Sequence, residues 1–243
     1  MLPTADAVAS SLETLNQHYR AITHNLANAS TTGYKRLCRS AEQLYAARPF
    51  AESAEPVTGE VADRTSIDFN QGGLVRTGRP LDLALHGSGF FVIETPEGPR
   101  YTRNGVFCVS PTGQLVDGGG RTVSGEGGPI TLPEGASEAQ VSVASGGEVS
   151  AGTAAIGRLR IVQFDDPQRL EPVGGNLFSA PEGVDPAPAT KTTVQQGFQE
   201  ASNVNVVEEL VDLIVVSRLY EANLKSVQVQ DERMQNLLRV VMA

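Results

Sequence analysis

The feature that narrows the choice of folds most is an apolar repeat, alternating by four and three, at both ends of the chain. Near the C-terminus Val206, Leu210, Leu213, Ser217, Tyr220, Leu224, Val227, Asp231, Met234, Leu238 and Val241 follow it unbroken, with only Ser217 and Asp231 polar. Near the N-terminus Val8, Leu12, Leu15, Tyr19, Ile22, Leu26 and Ala29 do the same. This spacing holds an apolar stripe on one side of a helix, where a second helix can cover it. At about 1.5 Å per residue the C-terminal helix would reach roughly 54 Å. Asn205 and Glu208 have capping-box spacing, and Glu208 and Glu209 suit the positive helix start. Ser217 and Asp231 either set register or face solvent. A lone helix cannot bury such a stripe, so the two ends pack on each other within one chain or on neighbouring chains. The period leaves both open.

The middle has a different rhythm. From Ile67 to about Phe178 the period is two, and Leu81, Leu83 and Leu85 alternate with Asp82, Ala84 and His86. That pattern predicts a strand with one buried face, leaving Asp82 and His86 on the open one. Asn104-Gly105 between Tyr101-Thr102 and Val106-Phe107 predicts a two-residue hairpin. Short β-rich runs recur at Val141–Val143 and Leu159–Phe164. With 25 Gly and 14 Pro supplying turns, these runs predict a compact all-β domain. The fold class is therefore mixed, with terminal α-helices forming a coiled-coil layer and a central all-β domain. The expected divisions are an N-terminal helix and hinge at 1–36 and an extended connector at 37–70. The β domain follows at 71–180, then a Pro/Ala/Gly linker at 181–200 and the C-terminal helix at 201–243. Asn28 to Gly33 ends the first helix, with Gly33 suited to positive φ.

The chemistry carried by these residues is sparse. A net charge of −9 opposes binding to nucleic acid, whose phosphates require Lys and Arg, and gives no support for docking on anionic lipid. No apolar run approaches the roughly 20 residues that span a bilayer, and the start does not read as a cleaved leader. His18, His24 and His86 lack metal-ligand spacing and pair with no candidate nucleophile. Asp165-Asp166 before Pro167 reads as a turn. The glycines from 118 to 128 have no following Lys to make a phosphate cradle. Cys38 and Cys108 read as inert thiols, with a single disulfide left open. No catalytic residue, cofactor site or metal site is predicted. Two rival readings remain from these residues alone, a secreted β-domain binding module on a helical stalk and an extracellular hydrolase lacking a recognisable catalytic pair.

Three ordered stretches carry a resemblance. Asn25-Leu26-Ala27-Asn28-Ala29-Ser30-Thr31-Thr32-Gly33-Tyr34-Lys35 resembles the N-terminal signature of bacterial flagellar rod and hook proteins. Gln71 to Phe91, continued by Tyr101 to Phe107, resembles the start of that family's central domain. Gln196 to Lys225, with its Ser-Asn-Val-Asn entry, resembles the terminal helix. The resemblance implies an axial subunit of the flagellar basal body, in the rod's periplasmic span, whose terminal helices line a hollow tube. Its implied partners are other rod subunits, copies of itself and the flagellar type III export machinery, with no nucleic acid and no membrane insertion. The implied assembly interface comprises Leu12, Leu15, Tyr19, Ile22, Asn25, Leu26, Asn28, Gly33 and Tyr34. On the second helix it comprises Leu210, Leu213, Tyr220, Leu224, Val227, Met234 and Leu238. The short connection from Lys35 to Pro80 and the compact β domain are more similar to the proximal rod type. Arg218 to Lys225 is more similar to the distal type, and the proximal reading is favoured. His24 stands where the family commonly has Asn, and the first ten residues diverge.

Overall fold

The computed structural model describes residues 5–39, 66–133, 135 and 137–242, excepting the side chains of 5–8, 230, 231, 234, 237 and 241. Most of the expected connector therefore lies outside the described residues. The chain divides into a helical unit (1–27, 37–67 and 204–243) and a β unit (28–36 and 68–203).

In the helical unit the four-three repeats form the expected helices, α1 (Ala5–Ala27) and α2 (Val206–Val241). Asn205 caps α2, its Oδ1 accepting from Val207 N–H at 3.1 Å. This leaves Glu208 and Glu209 in the first turn, where acidic groups favour the helix dipole. The ends of the connector form a short ladder, β1 (Leu37–Cys38) against β2 (Ser66–Ile67), with Leu37 opposite Ile67. Leu15 and Ile22 of α1 and Val216 of α2 are buried together, with Leu26, Leu213 and Leu219 partly buried around them.

The β unit is antiparallel in every described ladder. Its largest sheet has six strands. Their order is β15 (Glu171–Gly174), β16 (Leu177–Ser179), β6 (Gly98–Thr102), β5 (Phe90–Thr95), β14 (Ile161–Gln163) and β17 (Ala187–Pro188). Smaller ladders join β3 (Leu74–Arg76) to β19 (Phe198–Glu200), β4 (Leu83–His86) to β18 (Thr193–Gln196), and β7 (Phe107–Val109) to β8 (Leu115–Asp117). β9 (Ser124–Gly125) pairs with β10 (Gly128–Pro129). β11 (Val141–Val143), β12 (Glu148–Ala151) and β13 (Ala154–Arg158) form a three-stranded sheet. β5 is buried on both faces. Phe91 and Ile93 join the aliphatic core with Leu81, Leu83, Leu85 and Phe107. Phe90 faces an aromatic cluster of Phe69, Phe164, Phe178 and Tyr101, whose rings meet edge-on with centroids 4.8 to 6.2 Å apart.

Three expectations for this unit need correction. The stretch 181–200, read as a linker, contributes β17, β18 and β19. Its Pro and Ala content hid the β-forming run Thr193–Gln196. Asn104-Gly105 turns no hairpin, because neither residue has the positive φ that a type I′ turn requires. Asn104 Oδ1 instead accepts from Val106 N–H, and Gly105 is needed because a Cβ there would lie 1.7 Å from Leu83 O. Finally, Asp82 is fully buried. Thr77 Oγ1 and Gln199 Nε2 donate to its Oδ2 at 2.6 and 2.8 Å, which offsets the cost of removing a carboxylate from water. Of Leu81 through His86 only His86 is exposed, so the alternation marks a strand covered on both faces.

Candidate functional site

The breaker cluster after α1 belongs to the β unit, and it is fastened there by residues from several distant stretches. Gly33 adopts φ +69° and donates its N–H to Glu200 O at 2.7 Å. A Cβ at this position would stand 2.5 Å from Asn104 N and 2.6 Å from Asn104 Cα, so only glycine permits the approach. Thr32 O accepts from Asn176 Nδ2, and Thr32 Oγ1 donates to Gln199 Oε1. Tyr34 is buried. Lys35 follows with no exposed side-chain surface. Its Nζ lies 2.6 Å from Glu200 Oε1, itself fully buried, and 2.7 Å from Asn70 O. Arg103 adds a second buried cation, with Nη1 3.6 Å from Glu200 Oε2 and its guanidinium 5.0 Å from the Phe90 ring centroid. Burial pulls Lys35 below its usual range, opposed by the Glu200 charge and hydrogen bond, and burial likewise lowers Arg103. Arg36 N–H then donates to Asn203 Oδ1, whose amide nitrogen reaches the carbonyls of Asp68 and Asn70. The positive φ of Gly33 was legible from sequence. The Lys35–Glu200–Arg103 cluster was not, although its members stand in the three stretches that carry the resemblance.

In the helical unit, Asn25 pairs with both backbone groups of Leu37. Its Nδ2 donates to Leu37 O and its Oδ1 accepts from Leu37 N–H, each at 2.9 Å. An amide is the side chain suited to this, having one donor group and one acceptor group. Asn28 serves locally, receiving Thr31 Oγ1 at 3.2 Å.

The packed stripe of α2 lies to one side of the expected seam. Among the described side chains of α2, Glu209, Val216 and Asn223, seven residues apart, are buried, and His18 and Asn25 alternate with Leu15 and Ile22 on α1. Polar identities at these heptad positions concealed them from a search for apolar residues. Burial lowers the His18 pKa below 6.5, aided by Arg39 and opposed by Asp212. Of the expected interface residues, Leu15, Ile22, Asn25, Gly33 and Tyr34 are buried, and Leu12, Leu26, Asn28, Leu213 and Val227 are half-buried. Tyr19, Leu210, Tyr220, Leu224 and Leu238 are exposed, and the Met234 side chain lies outside the described residues. Tyr19 and Tyr220 flank a groove of about 370 Å³ over Leu15 and Val216. Val207, Val211, Ile214 and Val215 are exposed on another side of α2. Among the described residues no cluster of His, Cys, Asp and Glu could hold a metal, and no helix is long and apolar enough to cross a membrane. Cys38 and Cys108 are not joined in a disulfide.

Comparison with known proteins gives this architecture its family. The pattern for the flagellar basal body rod FlgEFG protein C-terminal matches residues 195–240, and that for the flagellar hook protein FlgE/F/G D1 domain matches 84–151. The chain is 36% identical to the flagellar basal-body rod protein FlgF of Caulobacter vibrioides over 212 residues, covering 86% of this chain and 85% of that protein. It is 36% identical to FlgF of Salmonella typhimurium over 250 residues, covering 93% and 92%. It is 32% identical to the flagellar basal-body rod protein FlgG of Buchnera aphidicola subsp. Schizaphis graminum over 262 residues, covering 98% and 99%. The chain belongs to the flagellar basal-body rod protein family.

Proposed function

We propose that this chain is a structural, non-enzymatic subunit of the flagellar rod, exported by the flagellar type III apparatus and assembled helically into the torque-transmitting axle. The observation that carries the reading is the surplus of apolar surface on α2. One stripe is covered by α1, while Leu210, Tyr220, Leu224 and Leu238 on a second side, and Val207, Val211 and Val215 on a third, are bare. A helix apolar on several sides is one that neighbours surround. In an open tube those neighbours are helices of other rod subunits and of copies of this chain, meeting head to tail without closing a ring. Together they form the coiled-coil layer, with the expected interface residues at the contacts. The proximal rod type is favoured, in keeping with the short connector. FlgF-named relatives at 34–36% identity over FlgG-named ones at 29–33% point to a FlgF-like subunit.

Among the described residues, three apolar side chains of the helical pair are fully packed, little support for helices of 23 and 36 residues. Limited proteolysis of dilute subunit should therefore remove residues before Asn28 and after Asn203 first and leave the β unit. A binding module on a stable helical stalk predicts the reverse. Ends that outlast the β unit under protease would refute the rod reading.

A further inference from the structure

We propose that Lys35, Arg103 and Glu200 form an electrostatic latch that holds the segment following α1 on the β unit, with Glu200 as the keeper. The inference concerns the β unit alone and is independent of the rod assignment.

The latch joins residues 165 apart in sequence through the Lys35–Glu200 hydrogen bond. Glu200 makes more of the fastenings than Lys35 or Arg103 does. Its Oε1 accepts from Lys35 Nζ and from Gly72 N–H at 3.0 Å, its Oε2 faces Arg103, and its backbone carbonyl takes Gly33 N–H. Among the described residues, Glu200 is the one buried anion facing two buried cations. Asp68 acts on Lys35 from a partly exposed position. The consequences of removing each charge are therefore unequal. Without Lys35, Arg103 and Glu200 remain a balanced pair. Without the Glu200 charge, two cations stay buried with no buried anion against them, and such a state is strongly unfavourable.

The same asymmetry orders the closure. Glu200 lies in β19 and reaches this site only when β19 has paired with β3, Glu200 opposite Leu74. Before that, docking Lys35 beside Arg103 would bury two like charges. Residues 28–36 consequently dock last, after the final strand of the β unit is in place. The segment leaving α1 and the segment entering α2 are fastened in one step.

Hydrogen exchange of the full chain, read by mass spectrometry, tests this with Glu200→Gln and Lys35→Met. Glu200→Gln keeps the shape and the Oε1 acceptor, removes the charge, and puts an amide NH2 in place of Oε2, the oxygen that faces Arg103. Its amides in 28–36 should exchange at least about a hundredfold faster than in the wild type, and those of β5 should change less than about threefold. In Lys35→Met the acceleration in 28–36 should stay below about tenfold. The latch is overturned if Glu200→Gln leaves 28–36 unchanged or if Lys35→Met loosens it equally. Acceleration of β5 as large as that of 28–36 also overturns it, because the cluster would then serve the whole unit.

Discussion

Gly33→Ala separates two costs that glycines usually hide together. At φ +69° an alanine pays the left-handed penalty of about 1–2 kcal/mol. Its Cβ would also meet Asn104 N at 2.5 Å, Asn104 Cα at 2.6 Å and Arg103 C at 2.8 Å. Those three atoms are backbone and cannot swing aside as a flexible side chain could. The close approach must be opened by moving the chain, which costs a further 1–3 kcal/mol or so, as overpacking does. Movement would also lengthen the 2.7 Å bond from Gly33 N–H to Glu200 O. The expected total is about 3 kcal/mol. Gly78→Ala supplies the control, since Gly78 has φ +75° and nothing within 4 Å of a new Cβ, so only the conformational cost applies. Urea unfolding of the two full-length variants, followed by a probe of the β unit, should give a lower midpoint for Gly33→Ala at unchanged slope. If the two variants lose stability to within about 0.5 kcal/mol of each other, close packing at residue 33 contributes nothing beyond φ and the reasoning fails.

The remaining predictions concern the helical unit. Asn25→Ala removes the side-chain partner of the half-buried N–H and C=O of Leu37, at about 0.5–1.5 kcal/mol for each group; exchange of the Leu37 amide should accelerate at least about tenfold, and an unchanged rate would contradict the assigned pairing. His18 has a folded-state pKa below 6.5 because of burial first and Arg39 second, so the unfolded chain takes up the proton first. Its contribution to stability is thus complete above about pH 6.5 and declines as pH falls below it. The loss of ellipticity at 222 nm between about pH 8 and 5.5 should shrink in His18→Leu, and an identical loss would rule out this residue as its cause. Leu224→Asp lies on an exposed stripe and should abolish swimming while leaving the urea midpoint of the β unit within about 0.5 kcal/mol of the wild type; normal swimming would remove the stripe from the assembly interface.

Much of the architecture was readable because it is written in local periods. The four-three repeat located α1 and α2, and Asn205 fixed the start of α2, since both depend on residues a few positions apart. Gly33 was legible as a positive-φ stop for the same reason. The linker reading of 181–200 failed because the strands there are held by partners far away, Thr193–Gln196 by Leu83–His86 and Phe198–Glu200 by Leu74–Arg76. Asp82 was misplaced because a carboxylate in a strand reads as exposed unless its donors are known. Those donors, Thr77 and Gln199, include one 117 residues away.

The sequence by itself determined that helical ends flank a β-rich middle, and its three ordered stretches pointed to the flagellar axial proteins. These are properties of spacing and residue type along the chain. Only the tertiary structure decided which side of α2 meets α1, because Val216, which packs on Leu15 and Ile22, lies outside the four-three repeat and is flanked at seven-residue spacing by the buried polar Glu209 and Asn223. It also decided that "NASTTGYKR" closes onto the β unit through Lys35, Arg103 and Glu200. A buried charge is tolerable only beside its counter-charge, and no local pattern announces a partner 165 residues away.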